Sequence, residues 1–306
     1  MTESMLRRIL QGLVVLVILW LGSAWLTGRS GGETAGDGGL AEIFEGLSEA
    51  TVSAVRIAGP NETMTIAQSA GVWTVNGHAT DSTTLSRFWS ALEEAEVGGI
   101  AANNSANHPR MGVSADSAYS VDFTRSDGGS AILLVGKGGP IFPSGYVRLP
   151  DQDAVIVVSG DFQPVVRLSA TDWRDKTILR LDTAAVARIV LETDEGTLVV
   201  ERGDSTWTAD GGPANPAFMN PVLQELANLI ASGFVEEGEV FEESPKRVIA
   251  LGAAGDTLGV VMVAGESGTR HVRTPGNDVV FEVPSFRADR VAPDIVTVRA
   301  EPSGTL

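Results

Sequence analysis

Two stretches of the chain repeat the same order of short apolar segments, and this internal similarity constrains the fold more than any other feature. Both stretches are rich in β-branched residues and are broken by turns that contain Gly or Asp, as is typical of antiparallel strand meanders. The segments are residues 53–57, 63–66 and 72–75 in the first copy, and 186–190, 197–200 and 206–208 in the second. Trp73 in the first copy corresponds to Trp207 in the second.

A helix is predicted after each meander, because apolar residues recur there at the spacing of one helical face. Asp81 or Ser82 can cap the first helix, and Asn215 followed by Pro216 is typical of a second helix start. The apolar stripes are Leu85, Phe88, Trp89 and Leu92 in the first helix, and Met219, Val222, Leu223, Leu226, Leu229 and Ile230 in the second.

More strands follow each helix, and their residues also match in pairs. Residues 146–148 (Tyr-Val-Arg) match residues 271–273 (His-Val-Arg), and Phe162 is paired with Phe286. Each copy is therefore predicted to be strands, one helix and more strands in about 120 residues, with the helix covering one face of the sheet. The predicted fold class is α+β: an N-terminal transmembrane helix followed by two tandem, similar units, each an antiparallel β-meander plus one helix.

Residues 9–26 form a largely apolar run in which Gln11 and Ser23 are polar and no residue is charged. A helix of this length can nearly span a hydrocarbon core of about 30 Å. Arg7 and Arg8 precede the run, so the positive-inside tendency predicts a cytoplasmic N-terminus and an extracytoplasmic body. The alternative is a cleaved signal peptide, because residues 22–24 (Gly-Ser-Ala) are small.

The predicted organisation follows from these features and places the protein in the cytoplasmic (inner) membrane as a single-pass protein. Leu40, Ile43, Phe44 and Leu47 suggest a short helix that leads into the first repeat. The segments are a cytoplasmic stub (1–8), a transmembrane anchor (9–27), a flexible Gly-rich linker (28–39), a first α+β repeat (40–170), an inter-repeat junction (171–185) and a second α+β repeat (186–306).

Composition excludes several classes of function. The chain has no cysteine, which excludes disulfides, thiolate catalysis and iron–sulfur clusters. Its net charge of −17 and its three lysines argue against binding to nucleic acid, which requires clustered cations.

Metal and nucleotide motifs are incomplete in the sequence. Metal-ligand spacing is lacking between His78, His108 and His271. The GKGG segment, Gly136–Gly139, lacks the upstream Gly and the Ser or Thr of a phosphate loop. We therefore predict no cofactor and no metal. The five glutamates between 236 and 243 are interpreted as a solvated acidic face.

One polar cluster is the candidate site: Trp173, Arg174, Asp175 and Lys176. The functional interpretation is a binding or acid/base site. The structural interpretation, which we favour, is that Trp173 packs between the two units while Arg174 and Asp175 form hydrogen bonds or ion pairs. The counterpart in the second copy is taken as residues 291–296, which lack the Trp and the Lys, so the cluster is assigned to the junction.

Six features of the chain occur together: the N-terminal anchor, the Trp73 strand, the Asp81 helix, residues 110–113 (Arg-Met-Gly-Val), residues 145–148 (Gly-Tyr-Val-Arg) and the Trp173–Lys176 cluster. This combination resembles the membrane-anchored bacterial family known as domain of unknown function 4340 (DUF4340). Met111 is a departure, because the family tends to have an aromatic residue there. The resemblance implies an extracytoplasmic companion of ABC transporters of the gliding-motility type, and it carries over no catalytic residue.

The sequence thus predicts a non-catalytic interaction or accessory module that is held to membrane lipid by its N-terminal helix. The association with ABC transporter subunits is what the family resemblance implies. One alternative is a binding module for an envelope polymer or a small solute at a cleft between the repeats. A second alternative, less favoured, is a hydrolase that uses two carboxyl groups across a cleft.

Overall fold

A computed structural model describes residues 37–235, 241, 246–265 and 268–299 of the 306-residue chain. The predicted stub, the anchor at 9–27 and residues 28–36 of the predicted linker lie outside these residues. The predicted acidic face of Glu236, Glu237, Glu239, Glu242 and Glu243 lies outside them as well. Among the helices that the structure describes, none is long and apolar enough to cross a membrane.

The chain divides into two compact units, with the boundary between Asp175 and Lys176. The first unit therefore extends beyond residue 170, where the first repeat was predicted to end. Its elements are α1 (Asp37–Glu45), β1 (Val52–Ala58), β2 (Thr63–Ser69), β3 (Val72–Val75), β4 (His78–Ala79), α2 (Ser82–Glu93), β5 (Glu96–Ala102), a 3-10 turn (Ser105–Asn107), α3 (His108–Met111), β6 (Tyr119–Arg125), β7 (Ser130–Gly138), β8 (Ser144–Arg148), β9 (Val155–Ser159), α4 (Phe162–Val166) and α5 (Ala170–Trp173).

The second unit follows a similar succession of strands and helices. Its elements are β10 (Thr177–Leu179), β11 (Arg188–Thr193), β12 (Gly196–Arg202), β13 (Trp207–Ala209), β14 (Gly212–Pro213), α6 (Pro216–Ala227), β15 (Leu229–Ile230), β16 (Gly233–Phe234), β17 (Lys246–Leu251), β18 (Thr257–Ala264), β19 (Thr269–Arg273), β20 (Phe281–Pro284), α7 (Ser285–Val291) and α8 (Ile295–Val298).

Each unit is built on a nine-stranded sheet within the described residues, and the two sheets share one strand order. The first sheet runs β4-β3-β2-β1-β6-β7-β8-β9-β5, and the second runs β14-β13-β12-β11-β17-β18-β19-β20-β16. Neighbouring strands pair antiparallel, for example Val55 with Phe123 in the first sheet and Val190 with Ile249 in the second. The predicted α+β class with antiparallel sheets is confirmed.

The match between Trp73 and Trp207 is confirmed by the register of the hairpins that hold them. Each Trp lies three residues before a tight turn, Asn76–Gly77 in the first unit and Asp210–Gly211 in the second. All four turn residues have positive φ, between 49° and 84°, which favours Asn, Asp and Gly at these positions. The two tryptophans differ in burial, since Trp73 lies in the core and Trp207 is half-buried beneath the guanidinium of Arg202.

The two long helices begin at the predicted caps. The Asp81 carboxylate accepts a hydrogen bond from the Thr84 N–H at 2.7 Å at the start of α2, and the Asn215 side chain accepts one from the Ala217 N–H at 3.0 Å at the start of α6. The residues of α2 that face the sheet are Phe88, Trp89, Ala91 and Leu92, all buried. The apolar stripe of the sequence thus identifies the face that packs.

Helix α1 confirms the predicted lead-in helix, because Leu40, Phe44 and Leu47 are buried in the core of the first unit. It begins at Asp37, however, so the end of the predicted flexible linker at residue 39 is too late. A Gly-rich composition favours flexibility. Here the two glycines lie in the first turn of α1, directly before the buried residue Leu40.

Candidate functional site

Trp173, the centre of the sequence-predicted cluster, is fully buried in the core of the first unit. It is the last residue of α5, whose first turn is closed by a capping box between Ser169 and Asp172. The centroid of its indole lies 5.3 Å from that of the Phe88 ring of α2, in an edge-on arrangement. This position differs from the predicted one between the two units, because the capped turn directs the indole towards α2.

The main chain around Trp173 is tied to the segment just before α2. The Asp81 N–H donates to the Trp173 carbonyl at 2.8 Å, and the Asp175 N–H donates to the Ala79 carbonyl at 2.8 Å. Arg174, which lies between these bonds, forms an antiparallel bridge with Thr80. The cluster therefore closes the first unit by holding its last segment against the start of its long helix.

The second unit closes in the same way, although its side chains differ. Arg299 forms an antiparallel bridge with Ala214, and the Asn215 N–H donates to the Val298 carbonyl at 2.8 Å. Val298 therefore takes the place of Trp173, and Arg299 that of Arg174. The predicted counterpart at 291–296 lies too early in the chain, and the Trp-Arg pair belongs to the repeating unit rather than to the junction.

The predicted pairing of Phe162 with Phe286 is wrong, because the two residues differ in burial. Phe162 is buried at the start of α4, whereas Phe286 in α7 is 61% exposed. The buried positions of these helices have the same i, i+3, i+4 spacing in both units: Phe162, Val165 and Val166 in the first, and Ala288, Val291 and Ala292 in the second. Ala288 therefore occupies the position of Phe162.

The remaining cluster residues lie at the boundary between the compact units. Arg174, Asp175 and Lys176 are half-buried, and the Lys176 carbonyl accepts a hydrogen bond from the Ala231 N–H at 2.8 Å within the second unit. Main-chain groups of Trp173, Asp175 and Lys176 are thus engaged in structural hydrogen bonds. These main-chain contacts give the cluster a structural role in the described part of the chain.

A buried arginine, which the sequence analysis did not single out as a site, joins two of the motifs that carry the family resemblance. Arg148 at the end of β8 is only 7% exposed. Its Nε and Nη2 donate to the Val113 carbonyl at 3.2 and 3.1 Å. Its Nη1 donates to the carbonyls of Leu149, Pro150 and Gln152, at 3.0, 2.8 and 3.0 Å. One guanidinium thus satisfies four carbonyl oxygens and connects residues 110–113 to residues 145–148.

Two aspartates, a histidine and a closely packed glycine surround the segments that Arg148 connects. Burial lowers the pKa of Arg148, while the carboxylates of Asp153 and Asp151 raise it. The ring Nε2 of His108 is hydrogen-bonded to the Asp153 carbonyl at 2.9 Å, which fixes the same loop from α3. A Cβ at Gly136 of β7 would lie 2.4 Å from the Met111 carbonyl oxygen, so the close approach of this segment requires glycine.

Potential metal ligands do not assemble in the described part of the chain. No group of three or more His, Asp or Glu side chains there could hold a metal ion. His78 lies in β4, His108 in α3 and His271 in β19. The GKGG segment forms the end of β7 and the residue that follows it.

Among the described residues of the first unit, the most exposed large apolar side chains lie at the tip of the hairpin between β7 and β8, residues 140–143 (Pro-Ile-Phe-Pro). Ile141 is 77% exposed and Phe142 is 86% exposed. The base of the tip is held by a hydrogen bond from the Gly139 N–H to the Ser144 carbonyl at 2.9 Å. We call residues 140–143 the apolar tip.

The corresponding hairpin of the second unit has a different composition. Strand β18 ends at Ala264 and β19 begins at Thr269, and the four residues between them in the sequence read Gly-Glu-Ser-Gly. The sequence at this position is therefore polar, so large apolar side chains are not common to the two copies.

We predict that Trp173→Ala destabilises the first unit by about 3–5 kcal/mol, because it removes a fully buried indole from the contact with Phe88. Trp207→Ala is the matched control, since Trp207 is half-buried, and it should cost clearly less. Denaturant unfolding of the two variants, followed by circular dichroism, measures the difference. Equal losses in the two variants would contradict the structural role of Trp173.

We predict that Arg148→Met destabilises the protein by about 2–5 kcal/mol, because it removes the guanidinium donor from four carbonyl oxygens. Of these four, the Leu149 carbonyl keeps its bond from the Gln152 N–H at 3.2 Å. Arg56→Met is the control: Arg56 forms an exposed ion pair with Asp122, and its loss should cost about 0–1 kcal/mol. Thermal unfolding of both variants is the measurement. An Arg148→Met protein as stable as Arg56→Met would show that the guanidinium is dispensable.

The family comparison matches residues 73–248 to the model of a domain of unknown function (DUF4340), which is more than half of the chain. The match begins at Trp73 in β3 and ends at Val248 in β17, so it includes the Arg148 contacts and the Trp173–Lys176 cluster. Neither the curated proteins nor the solved structures gave a match to this chain. The chain belongs to the DUF4340 family.

Proposed function

We propose that this protein is a non-catalytic interaction module that is anchored in the cytoplasmic membrane and acts on its extracytoplasmic side. The observation that carries the proposal is the apolar tip, which exposes two large adjacent side chains that have no counterpart in the sequence of the second copy. Contiguous exposed apolar groups mark contact surfaces, whereas apolar residues that are exposed singly are ordinary. The Trp173–Lys176 cluster supports the proposal indirectly, because its main-chain groups hold the fold together.

The proposed location rests on the N-terminal sequence. Residues 9–26 are apolar and uncharged, and Arg7 and Arg8 precede them. A helix with this flank inserts with its N-terminus in the cytoplasm, because basic residues are retained on that side. The rest of the chain, which carries nearly all of its acidic residues, is then extracytoplasmic.

The proposed partners are membrane lipid and, by the family resemblance, subunits of an ABC transporter of the gliding-motility type. An anchored module has its partners in the same membrane, which raises their effective concentration. Contacts that are weak between free molecules are then sufficient for association.

The location predicts a defined pattern of cysteine labelling, because the natural chain has no cysteine. Val72→Cys and Val296→Cys place a thiol at sites that are 62% and 66% exposed. In intact spheroplasts, a membrane-impermeant maleimide should label both variants, and it should label Ser4→Cys only after lysis. Labelling of Ser4→Cys alone in intact spheroplasts would reverse the proposed orientation.

The transporter association predicts that tagged protein, extracted in mild detergent, co-purifies with membrane subunits of an ABC transporter. An unrelated single-pass protein with the same tag is the control for non-specific recovery. If mass spectrometry finds the same transporter subunits in both samples, or none with this protein, the transporter part of the proposal is wrong.

A further inference from the structure

We infer that the apolar tip, residues 140–143, inserts into the surface of the lipid bilayer that holds the chain. This inference rests on the proposed anchoring and names lipid as the partner of the tip. It is carried by the shape, the backbone chemistry and the charge of the hairpin.

The tip is a small convex projection on a well-fixed base. Ile141 and Phe142 are 77% and 86% exposed, at the turn between two paired strands. The base is held on both sides: Gly139 donates to the Ser144 carbonyl, and the Pro143 carbonyl accepts from the Gly160 N–H at 3.0 Å. The two apolar side chains are therefore presented together.

The backbone of the tip suits an apolar environment. Unpaired N–H groups make it costly to bring a loop into lipid, because they lose their hydrogen bonds to water. Pro140 and Pro143 have no N–H, and the Gly139 N–H is already paired within the hairpin. Insertion of the tip thus removes water from fewer donors than insertion of an ordinary loop.

Charge does not oppose insertion at this position. No residue from Gly138 to Val147 is charged, in a chain of which 20% of the residues are charged. The net charge of −17 disfavours approach to an anionic surface, so a zwitterionic bilayer is the more favourable surface.

The predicted anchor keeps the tip within reach of lipid. Residues 28–36 separate the predicted anchor from α1, and nine residues span at most about 30 Å. A compact unit of this size has a radius of gyration of about 14 Å. The first unit is therefore held close enough for its surface to meet the bilayer.

Lipid is favoured over a groove on another protein because of the size of the tip. Stable protein interfaces bury about 800 Å² on each partner, which is much more than two side chains provide. A bilayer needs no complementary shape. Insertion as an additional contact of an already anchored chain needs only a small apolar area.

Gly138→Cys provides the test, because it creates a single labelling site beside the tip of a cysteine-free chain and leaves residues 140–143 unchanged. A Cβ at Gly138 has only an ordinary contact, 3.9 Å from the Ser144 carbonyl oxygen. The full chain, labelled with an environment-sensitive fluorophore, is reconstituted into phosphatidylcholine vesicles that contain lipids with a nitroxide quencher. The label should be quenched and blue-shifted. The same label in an Ile141→Ser/Phe142→Ser chain should report a ratio of inserted to free tip that is lower by about a hundredfold.

The control is the same fluorophore on Val72→Cys, in chains with and without the two tip substitutions; its quenching should not respond to them. If vesicles retain the chain and the tip label is no more quenched than the Val72 label, the inference is overturned while the anchor stands. A chain that does not float with vesicles overturns the anchor and the inference together. A tip label that is shielded in native membranes but not in pure lipid overturns the inference in favour of a protein groove.

Discussion

The packing of Phe88 against four other aromatic rings is the interaction on which the first unit depends. Its ring centroid lies 5.0 Å from that of Trp89, 5.3 Å from that of Trp173, and 6.3 Å from those of Phe123 and Phe162. These rings come from the long helix, from a central strand and from the two short helices that end the unit. Since each large aromatic side chain removes about 150–250 Å² from water, this contact places α4 and α5 more firmly than their one-turn lengths could.

The parts of the fold that follow from local patterns could be predicted from the sequence. The 3.6-residue spacing around Phe88, with Asp81 as cap, predicts α2, and the two Trp-containing meanders predict the duplication. Strands β5 and β16 could not be predicted in this way. Residues 96–102 read EVGGIAA, with two adjacent glycines and no alternation, and β16 has only two residues. Both strands exist because they pair with β9 and β20, which lie far away in the sequence.

The roles of the cluster residues could not be predicted from the sequence, for a different reason. Trp173 and Val298 are both buried and apolar, but an indole and an isopropyl group differ so much in size that a comparison of side chains does not align them. Their carbonyls nevertheless accept equivalent backbone hydrogen bonds. Arg148 presents a related difficulty, because an arginine at the end of a strand is ordinarily exposed. Only the arrangement of the Val113 carbonyl and the following loop explains its burial. In both cases main-chain partners determine the role, and a sequence pattern does not record them.

Because the fold is duplicated, the two units can be compared with each other, and a feature that both units share is a feature that the fold needs. The shared strand order, the equivalent Asn-Gly and Asp-Gly turns and the equivalent closing bridges occur in both units, and each has a structural explanation. The hairpin after β7 differs from the hairpin after β18 in chemistry but not in its place in the sheet. The sequence between β18 and β19 is Gly-Glu-Ser-Gly, whereas the hairpin after β7 exposes Ile141 and Phe142. The strand order that the two units share therefore does not explain why the apolar tip is apolar.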